Sequence, residues 1–140
     1  MTVSYSFAVI DGKNDAAETV IGPSPRLRVY NGTPPANART ALSGNTMLAE
    51  GTLPSDWLGA SASGVKSKAG AWSMTGQSGA GAGTAGTFYR IYDNAGTNCH
   101  EQGTFTATGG GGDMTVDNNS IANGQSLTVN SYAKTGGNIG

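Results

Sequence analysis

The stretch Gly86–Thr108, GTFYRIYDNAGTNCHEQGTFTAT, decides the fold of this chain. Its first part, Thr87–Tyr92, is rich in aromatic and β-branched residues, which favour β-strands. Asp93–Gly96 then supplies turn residues, because Asp and Asn tolerate left-handed or Asx-turn geometry and Gly accepts a positive φ. Asn98–Thr108 returns as a partner strand. The stretch therefore predicts a β-hairpin.

The first strand of this hairpin is apolar on both faces. Side chains alternate along a strand, so Phe88 and Tyr92 are expected on one face and Tyr89 and Ile91 on the other. A strand of this kind is usually covered on both sides. We therefore expect the hairpin to lie in the interior of a layered β fold.

The composition indicates an ordered chain with little material for a core. Val, Ile, Leu and Phe together make up 21 of 140 residues, while glycine alone contributes 23. The net charge of −1 lacks the strong imbalance of a disordered chain. The length predicts a single domain, residues 1–140, with residues 1–25 as an N-terminal strand or helix arm. Thinly cored chains gain stability from neighbouring subunits, which suggests a component of an assembly.

Charge and hydropathy exclude several classes of partner. The chain has no cluster of Lys and Arg of the kind that phosphate binding requires, so no nucleic-acid partner is expected. It has no apolar run of membrane-spanning length and no secretory signal pattern, so no membrane association is expected. The single cysteine, Cys99, fits synthesis in a reducing cytoplasm.

The N-terminal residues carry two successive patterns. Val3, Tyr5, Phe7 and Val9 alternate with small residues, which predicts a strand. Asp11–Ile21 then shows helical spacing, which predicts a short helix capped by Asp11 or Asn14 and ended by Gly22, or in its place an extended arm.

The remaining turn signals recur at roughly 8–12-residue spacing, which is typical of β-sandwiches. We predict an all-β, jelly-roll-like sandwich of about eight short antiparallel strands with one short N-terminal helix. Asn37–Asn45 is expected to be a loop, Ser55–Leu58 a capped turn with Trp57 inward, and Gln77–Gly86 a flexible loop. The other predicted strands are Arg26–Tyr30, Met47–Leu53, one or two within Val65–Met74, one through Met114 and Val116, and Leu127–Tyr132.

The tripeptide Cys99–His100–Glu101 has residue types found in metal sites and in cysteine nucleophiles. On a regular strand His100 points away from Cys99 and Glu101. A metal needs three or four converging ligands, and the chain has one Cys and one His. A small buried thiol beside a surface imidazole is therefore the favoured interpretation.

Four aspartates are candidates for a glycosidase pair, and two of them, together with Asn118, are candidates for a calcium site. A glycosidase pair would place two carboxylates across a cleft, yet none of the four lies in a recognisable motif. Asp113, Asp117 and Asn118 lack the spacing of an EF-hand calcium loop. We therefore expect no catalytic residue, no metal and no cofactor. The four carboxylates are Asp56, Asp93, Asp113 and Asp117.

Four aromatic residues suit either of two roles. Exposed together, they would form a sugar-binding platform; buried, they would fill a core or an interface, which is the more frequent role. The four are Tyr30, Trp57, Trp72 and Tyr132.

Several segments resemble a family of small virion proteins of tailed bacteriophages and prophages, the capsid cement (decoration) proteins. The similarity runs from Arg26 onward and is carried by structural rather than catalytic motifs, above all YRIYDNAG and GGDMTVDN. The segments are RLRVYNGTPP (Arg26–Pro35), LAEGTLPSDW (Leu48–Trp57), AGTFYRIYDNAGT (Ala85–Thr97), HEQGT (His100–Thr104), GGDMTVDNNSIANGQSLTV (Gly111–Val129) and TGGN (Thr135–Asn138).

This resemblance implies a non-enzymatic jelly-roll subunit that binds the outer surface of the major capsid lattice and stabilises the head. The expected partners are the major capsid protein and other copies of the chain, as a homodimer or another symmetric oligomer. The expected location is the outer surface of the virion, after synthesis in the host bacterial cytoplasm. The alternative is a carbohydrate-binding or host-adhesion module of a phage tail or head fibre.

Composition and expected exposure suggest three contact segments, Thr2–Ile10, Thr33–Ala41 and Gln77–Gly86. The candidate protein–protein contact residues within them are Val3, Tyr5, Phe7, Pro34, Pro35, Gln77 and Thr84.

Overall fold

The computed structural model describes residues 3–135, so Thr2 and the end of the TGGN segment, residues 136–138, lie outside the described residues. The described chain is mostly β with one short helix, as predicted. Its elements, which include a 3-10 turn at Ser78–Ala80, are α1 (Phe7–Ile21), β1 (Arg26–Tyr30), β2 (Met47–Thr52), β3 (Lys66–Ser67), β4 (Ser73–Gly76), β5 (Thr84–Ala85), β6 (Phe88–Tyr92), β7 (Cys99–Ala107), β8 (Met114–Val116), β9 (Ser120–Ile121) and β10 (Ser126–Lys134).

Seven strands form a closed sheet. The order is β10–β4–β2–β1–β6–β7–β8, and β8 pairs back with β10. The short β3 pairs with the end of β10, and β5 pairs with β9 in a separate two-stranded sheet. The prediction of purely antiparallel strands is wrong at one place, because β7 and β8 are parallel. The glycine run Gly109–Gly112 allows this: the chain doubles back within a few residues, and the Gly112 amide donates to Thr106 Oγ1.

The predicted hairpin is present as β6 and β7, paired from Phe88 with Thr104 to Tyr92 with Cys99. All five residues of β6 are buried, as expected for a strand covered on both faces. Tyr89 and Ile91 lie in the main core, whereas Phe88 and Tyr92 form a second cluster with Tyr30.

The loop between β1 and β2 covers this second cluster. Leu42 and Met47 pack against it. Arg90, buried in β6, holds the loop by donating to the carbonyls of Asn37 and Thr40 at 3.3 and 2.7 Å. The predicted loop at Asn37–Asn45 is thus confirmed, and a buried cation fixes its position.

The predicted N-terminal strand is wrong, because its second half belongs to α1. The helix is capped by Ser6, whose Oγ accepts from the Val9 amide, and not by Asp11 or Asn14. Its end at Gly22 is confirmed. Ile10 and Ile21 lie eleven residues apart, three helical turns, and both are buried, Ile21 within the main core. Burial of these two side chains explains why a helix forms where the local pattern favours a strand.

The segment Gln77–Gly86 was predicted to be a flexible loop, yet it is regular and well tied. The Gln77 amide donates to the Leu48 carbonyl, and Thr84–Ala85 forms β5 against β9. Backbone pairing to other strands therefore orders a sequence of low complexity. At Ser55–Leu58 no helical turn forms, but Trp57 is buried as predicted.

Candidate interaction surfaces

The closed sheet has two different ends. At one, here called the helix end, the connection from α1 to β1 lies beside the Asp93–Asn98 turn, where Asn94 Nδ2 donates to the Ser24 carbonyl. At the other, the loop end, the β1–β2 loop, the Gln77–Gly86 segment and the residues around β9 meet. Their contacts include Thr87 Oγ1 with the Gly32 carbonyl and Asn119 Nδ2 with the Gly86 carbonyl. Two opposite ends give the chain two separate surfaces for partners.

The structure does not bring the seven predicted contact residues into one patch. Val3, Tyr5 and Phe7 are exposed at the helix end. Gln77 and Thr84 are partly exposed at the loop end, where both are held by hydrogen bonds. The remaining two, Pro34 and Pro35, lie in the β1–β2 loop, which folds back over β6 and β7; Gln102 of β7 donates to the Pro35 carbonyl at 2.8 Å.

The helix turns its polar side chains toward the sheet. Asp11 Oδ1 accepts from Ser61 Oγ at 2.7 Å and from the Gly64 amide at 2.9 Å. Asn14, fully buried, donates to Ser61 Oγ and to the Gly64 and Lys134 carbonyls. We call this set the polar latch; it comprises Asp11, Asn14, Asp15 and Glu18 of α1 with Ser61, Gly64 and Lys66.

Lys66 is the charged centre of the polar latch. Its Nζ lies 2.7 Å from Asp15 Oδ1 and 2.8 Å from Glu18 Oε2, and its side chain is almost fully buried. Burial alone would lower the pKa of Lys66, but the bonds to the two carboxylates outweigh it and raise the pKa above the usual lysine value. Lys66 therefore stays charged and binds α1 to the sheet.

Five apolar side chains of the N-terminal region are exposed, unlike those of Ile10 and Ile21. Tyr5, Phe7, Val9 and Val20 are 38, 52, 46 and 70% exposed. Together with Val3 they make up five of the six large apolar side chains that are exposed among residues 3–135. Exposed apolar side chains concentrated in one region mark a protein interaction surface. We call Val3–Val9 the N-terminal arm.

A polar cluster fills the interior of the sheet at the helix end. Glu101 accepts from the hydroxyls of Tyr89 and Tyr132 at 2.9 and 2.7 Å, and it pairs with Lys134. Burial, together with the Glu101 charge, raises the pKa of both tyrosines far above the usual value. The cluster joins β6, β7 and β10, because its four side chains come from these strands. Sequence reasoning missed it, although the inward position of Phe105 four residues later was a signal for Glu101.

The tripeptide Cys99–His100–Glu101 is divided by a β-bulge. Cys99 pairs with Tyr92, whereas Glu101 pairs with Ile91, so two steps along β7 match one step along β6. Cys99 therefore packs against the second cluster, which contains Tyr92, while Glu101 points inward. The prediction that Cys99 and Glu101 share a face of the strand is wrong. His100 is exposed. Burial raises the pKa of the Cys99 thiol, which disfavours the thiolate that a nucleophile requires.

Three of the four predicted carboxylates make local hydrogen bonds, and the fourth, Asp56, is exposed. Asp113 accepts from the amide and the hydroxyl of Thr104. Asp93 accepts from the Thr97 amide at 2.8 Å, and this bond with those from Asn98 lowers the Asp93 pKa. Asp117 binds Asn130. Among residues 3–135 no group of three or more His, Cys, Asp or Glu side chains could hold a metal ion.

The four aromatic residues considered for sugar binding are all buried. Trp72 lies between Trp57 and Tyr132, with ring centroids 5.7 and 4.8 Å away, and its Nε1 donates to the Trp57 carbonyl. The fourth, Tyr30, stacks on Phe88. These side chains form core, as the more frequent role predicted, and present no platform at the surface.

A groove of about 320 Å³ separates α1 from β7 at the helix end. We call it the helix–strand groove; it is lined by Lys13, Ala16, Ala17, Val20, Ile21, His100, Glu101 and Lys134. The small apolar side chains come from α1, and the polar ones lie mainly on the strands. The groove is therefore a shallow amphipathic surface beside a strand.

No helix within the described part of the chain has the length and apolar character needed to cross a membrane. In comparisons with known proteins, no family model, no curated protein and no solved structure matches this chain.

Proposed function

We propose that the chain is a virion structural protein of a tailed bacteriophage, a cement protein that binds the outer surface of the major capsid lattice and stabilises the head without catalysis. The sequence resemblance from Arg26 onward supports this proposal. The structural observation that supports it best is the set of five exposed apolar side chains at the helix end. Covering apolar surface of this kind with a protein partner is favourable, because it removes the surface from water.

The resembling segments lie in the closed sheet, whereas the N-terminal arm and α1 precede them. From Arg26 onward they contribute β1, β2, β6, β7, β8 and β10 of the closed sheet. In the proposal, the closed sheet is the common body of such a subunit, and the arm with its helix reaches a neighbouring subunit.

The opposite ends of the sheet suit a protein that bridges subunits. The segments at the loop end are already ordered by backbone hydrogen bonds, so docking costs them little conformational entropy. In the proposal these loops, with Pro34, Pro35, Gln77 and Thr84, contact the capsid surface. Many weak contacts repeated over a symmetric shell add up to tight binding. The net charge of −1 lets many copies lie close together.

A jelly-roll subunit, which the resemblance implies, is part of the same proposal. Its support is the strand order, in which β1 lies beside β6 and β4 beside β10, so that long connections cross between non-consecutive strands.

The test is co-sedimentation of the purified protein with mature phage heads produced without it. We expect saturable binding at a fixed ratio to the major capsid protein. A chain with Gln77→Ala and Pro34→Ala should bind more weakly, whereas the matched exposed change Asn118→Ala at the same end should not. Absence of saturable binding to heads would overturn the proposal and would move the protein to the tail or adhesion class.

A further inference from the structure

All four arginines of the chain lie on one outer face of the closed sheet. Arg26 and Arg28 flank Leu27 in β1, and Leu27 is buried in the main core, so the two arginines point to the opposite side. Arg90 lies beside Arg28 on the neighbouring strand β6, and its guanidinium holds the loop that carries the exposed Arg39. We call this surface the arginine face; it comprises Arg26, Arg28, Arg39 and Arg90.

Arg28 and Arg90 are placed where two like charges cost free energy. They are directly opposite each other in the pairing of β1 with β6, and like charges in such positions destabilise a sheet. The same row continues to Glu50 of β2 and to Gln102 of β7, so Glu50 is its one carboxylate. Among the described residues, Arg90 bonds to neutral oxygens only. An arrangement of charge that works against the stability of a sheet is expected where it serves a function.

The arginine face carries an excess of positive charge. Two carboxylates accompany its four guanidiniums: Glu50 pairs with Arg28, and Asp93 begins the turn that both arginines of β1 contact. The other charged side chains of the chain are four lysines and seven carboxylates, which together are net negative. Positive charge is thus concentrated on one face of a chain whose net charge is −1. Such a distribution orients the approach of an acidic partner.

The guanidiniums of Arg26 and Arg28 are held in place but remain accessible. Arg26 Nε donates to the Asn94 carbonyl at 2.9 Å, and Arg28 Nη1 donates to the Gly96 carbonyl at 3.2 Å. Arg28 also lies over the ring of Tyr92, 4.6 Å from its centroid. The side chains of Arg26 and Arg28 are 38 and 21% exposed. A guanidinium has more N–H groups than these bonds use, so both can bind a carboxylate from outside.

We propose that the arginine face binds an acidic segment of a partner protein, with carboxylates at alternate positions of an extended chain. Arg26 and Arg28 lie about 7 Å apart along β1, the distance that also separates alternate residues of an extended segment. Protein interfaces are enriched in arginine, whose planar guanidinium binds a carboxylate through two parallel hydrogen bonds. The small excess of positive charge suits a pair of carboxylates and not the dense charge of a nucleic acid.

The partner that fits is a protein other than a second copy of this chain. Eight of the nine carboxylates of the described residues are already hydrogen-bonded or paired within the chain, among them those of α1. The ninth, Asp56, makes no such contact with a described residue, and a single carboxylate does not supply the alternating pair. This inference goes beyond the proposed function and does not rest on it, since its tests use the free protein.

The first test is an NMR titration of the free protein with poly-L-glutamate at low salt. We expect saturable shifts of the amide signals of β1 and of the Asp93–Asn98 turn, while those of β9 at the loop end stay unchanged. Added salt should weaken the binding, because the contact is between exposed charges. A single-stranded DNA oligonucleotide, at equal concentration of charge, is the phosphate probe. Absence of saturable shifts with poly-L-glutamate, or tighter binding of the oligonucleotide, would overturn the proposal.

The second test compares variants that remove the same charge at different places. Arg26→Gln removes an exposed guanidinium of the arginine face, whereas Lys68→Gln removes a partly exposed ammonium group outside it. We expect Arg26→Gln to weaken the binding of poly-L-glutamate by about 3-fold or more and Lys68→Gln to leave it unchanged. Arg39→Gln, at an exposed loop position, should act in the same direction as Arg26→Gln. Equal weakening by the lysine and the arginine variants would overturn the proposal, because net charge and not this face would then drive the binding.

Discussion

The Nζ of Lys66 lies 2.8 Å from a carboxylate oxygen of Glu18, and this ion pair joins the short strand β3 to the helix α1. Lys66 is buried, while Glu18 is partly exposed. The attachment of α1 therefore combines this ion pair with the burial of the apolar side chains of Ile10 and Ile21.

Glu18→Gln should loosen α1 without unfolding the sheet. The change leaves the buried Lys66 with Asp15 as its remaining charged partner in the latch, and we expect a loss of about 1 to 3 kcal/mol. Hydrogen exchange should become faster at α1 amides and stay unchanged in β6. Asp117→Asn, an exposed carboxylate at the loop end, is the matched control. Equal exchange in α1 for both variants would contradict a role for the latch.

Arg90→Met should destabilise the second cluster, formed by Tyr30, Phe88 and Tyr92, and the loop that covers it. The substitution keeps the apolar stem but removes hydrogen bonds to the Asn37 and Thr40 carbonyls and to Gln102 Oε1. Because the donor is a buried cation, we expect a loss of about 2 to 4 kcal/mol in urea unfolding. Arg39→Met, at an exposed position of the same loop, should change stability little. A loss from Arg90→Met no larger than that of the control would show that the loop does not need the cation.

Asp93 should make the central hairpin sensitive to acid. Hydrogen bonds from Thr97 and Asn98 lower the pKa of Asp93 in the folded state. The contribution of Asp93 to folding stability is therefore fully present above the pKa that it has in the unfolded chain. This contribution is lost as the pH falls through its lower pKa in the folded chain. A carboxylate titration by NMR should give Asp93 a pKa below the usual aspartate value of 3.8. In Asp93→Asn the amide signals of Thr97 and Asn98 should lose this pH dependence. A pKa at or above 3.8 would contradict the tie.

Gly76→Ala and Gly12→Ala should have opposite effects. A Cβ at Gly76 in β4 would overlap the Ala122 carbonyl, so the backbone must shift and we expect a loss of about 1 to 3 kcal/mol. At Gly12 in α1 a Cβ meets nothing within 4 Å, and alanine should stabilise the helix by about 0.5 to 1 kcal/mol. Thermal unfolding of both variants tests the pair, and a gain at Gly76 would show that the strands there are not closely packed.

The sequence predicted the parts of the fold in which local pattern and burial agree. The hairpin of β6 and β7 could be read from alternation, because Tyr89 and Ile91 face one core and Phe88 and Tyr92 the other. The end of α1 at Gly22 followed from helix-capping rules. In these places the local preferences and the tertiary contacts favour the same structure.

The remaining parts depended on contacts that no local pattern carries. The start of α1 was missed because burial of Ile10 and Ile21 overrides the alternation of Val3–Val9. The inward position of Glu101 was obscured by a β-bulge, which reverses the face expected for Cys99. The order of Gln77–Gly86 comes from pairing with β9 and Leu48, which lie far away in the sequence.

The proposed contact surfaces were predicted only in part. Val3, Tyr5 and Phe7 were selected for a strand pattern; they are exposed as a contact surface requires, but at an end of the sheet where a helix forms. The polar latch could not be predicted, since its members come from two short segments, residues 11–18 and 61–66, that meet only through folding.

The central claim is that the protein stabilises phage heads from outside, and the thermal unfolding of intact heads tests it most directly. Mature heads produced without the protein would be heated alone, with saturating full chain, and with full chain carrying Gln77→Ala and Pro34→Ala. The account predicts a higher melting temperature of the heads with the full chain and a smaller rise with the variant. An unchanged melting temperature of heads that have bound the full chain would contradict it.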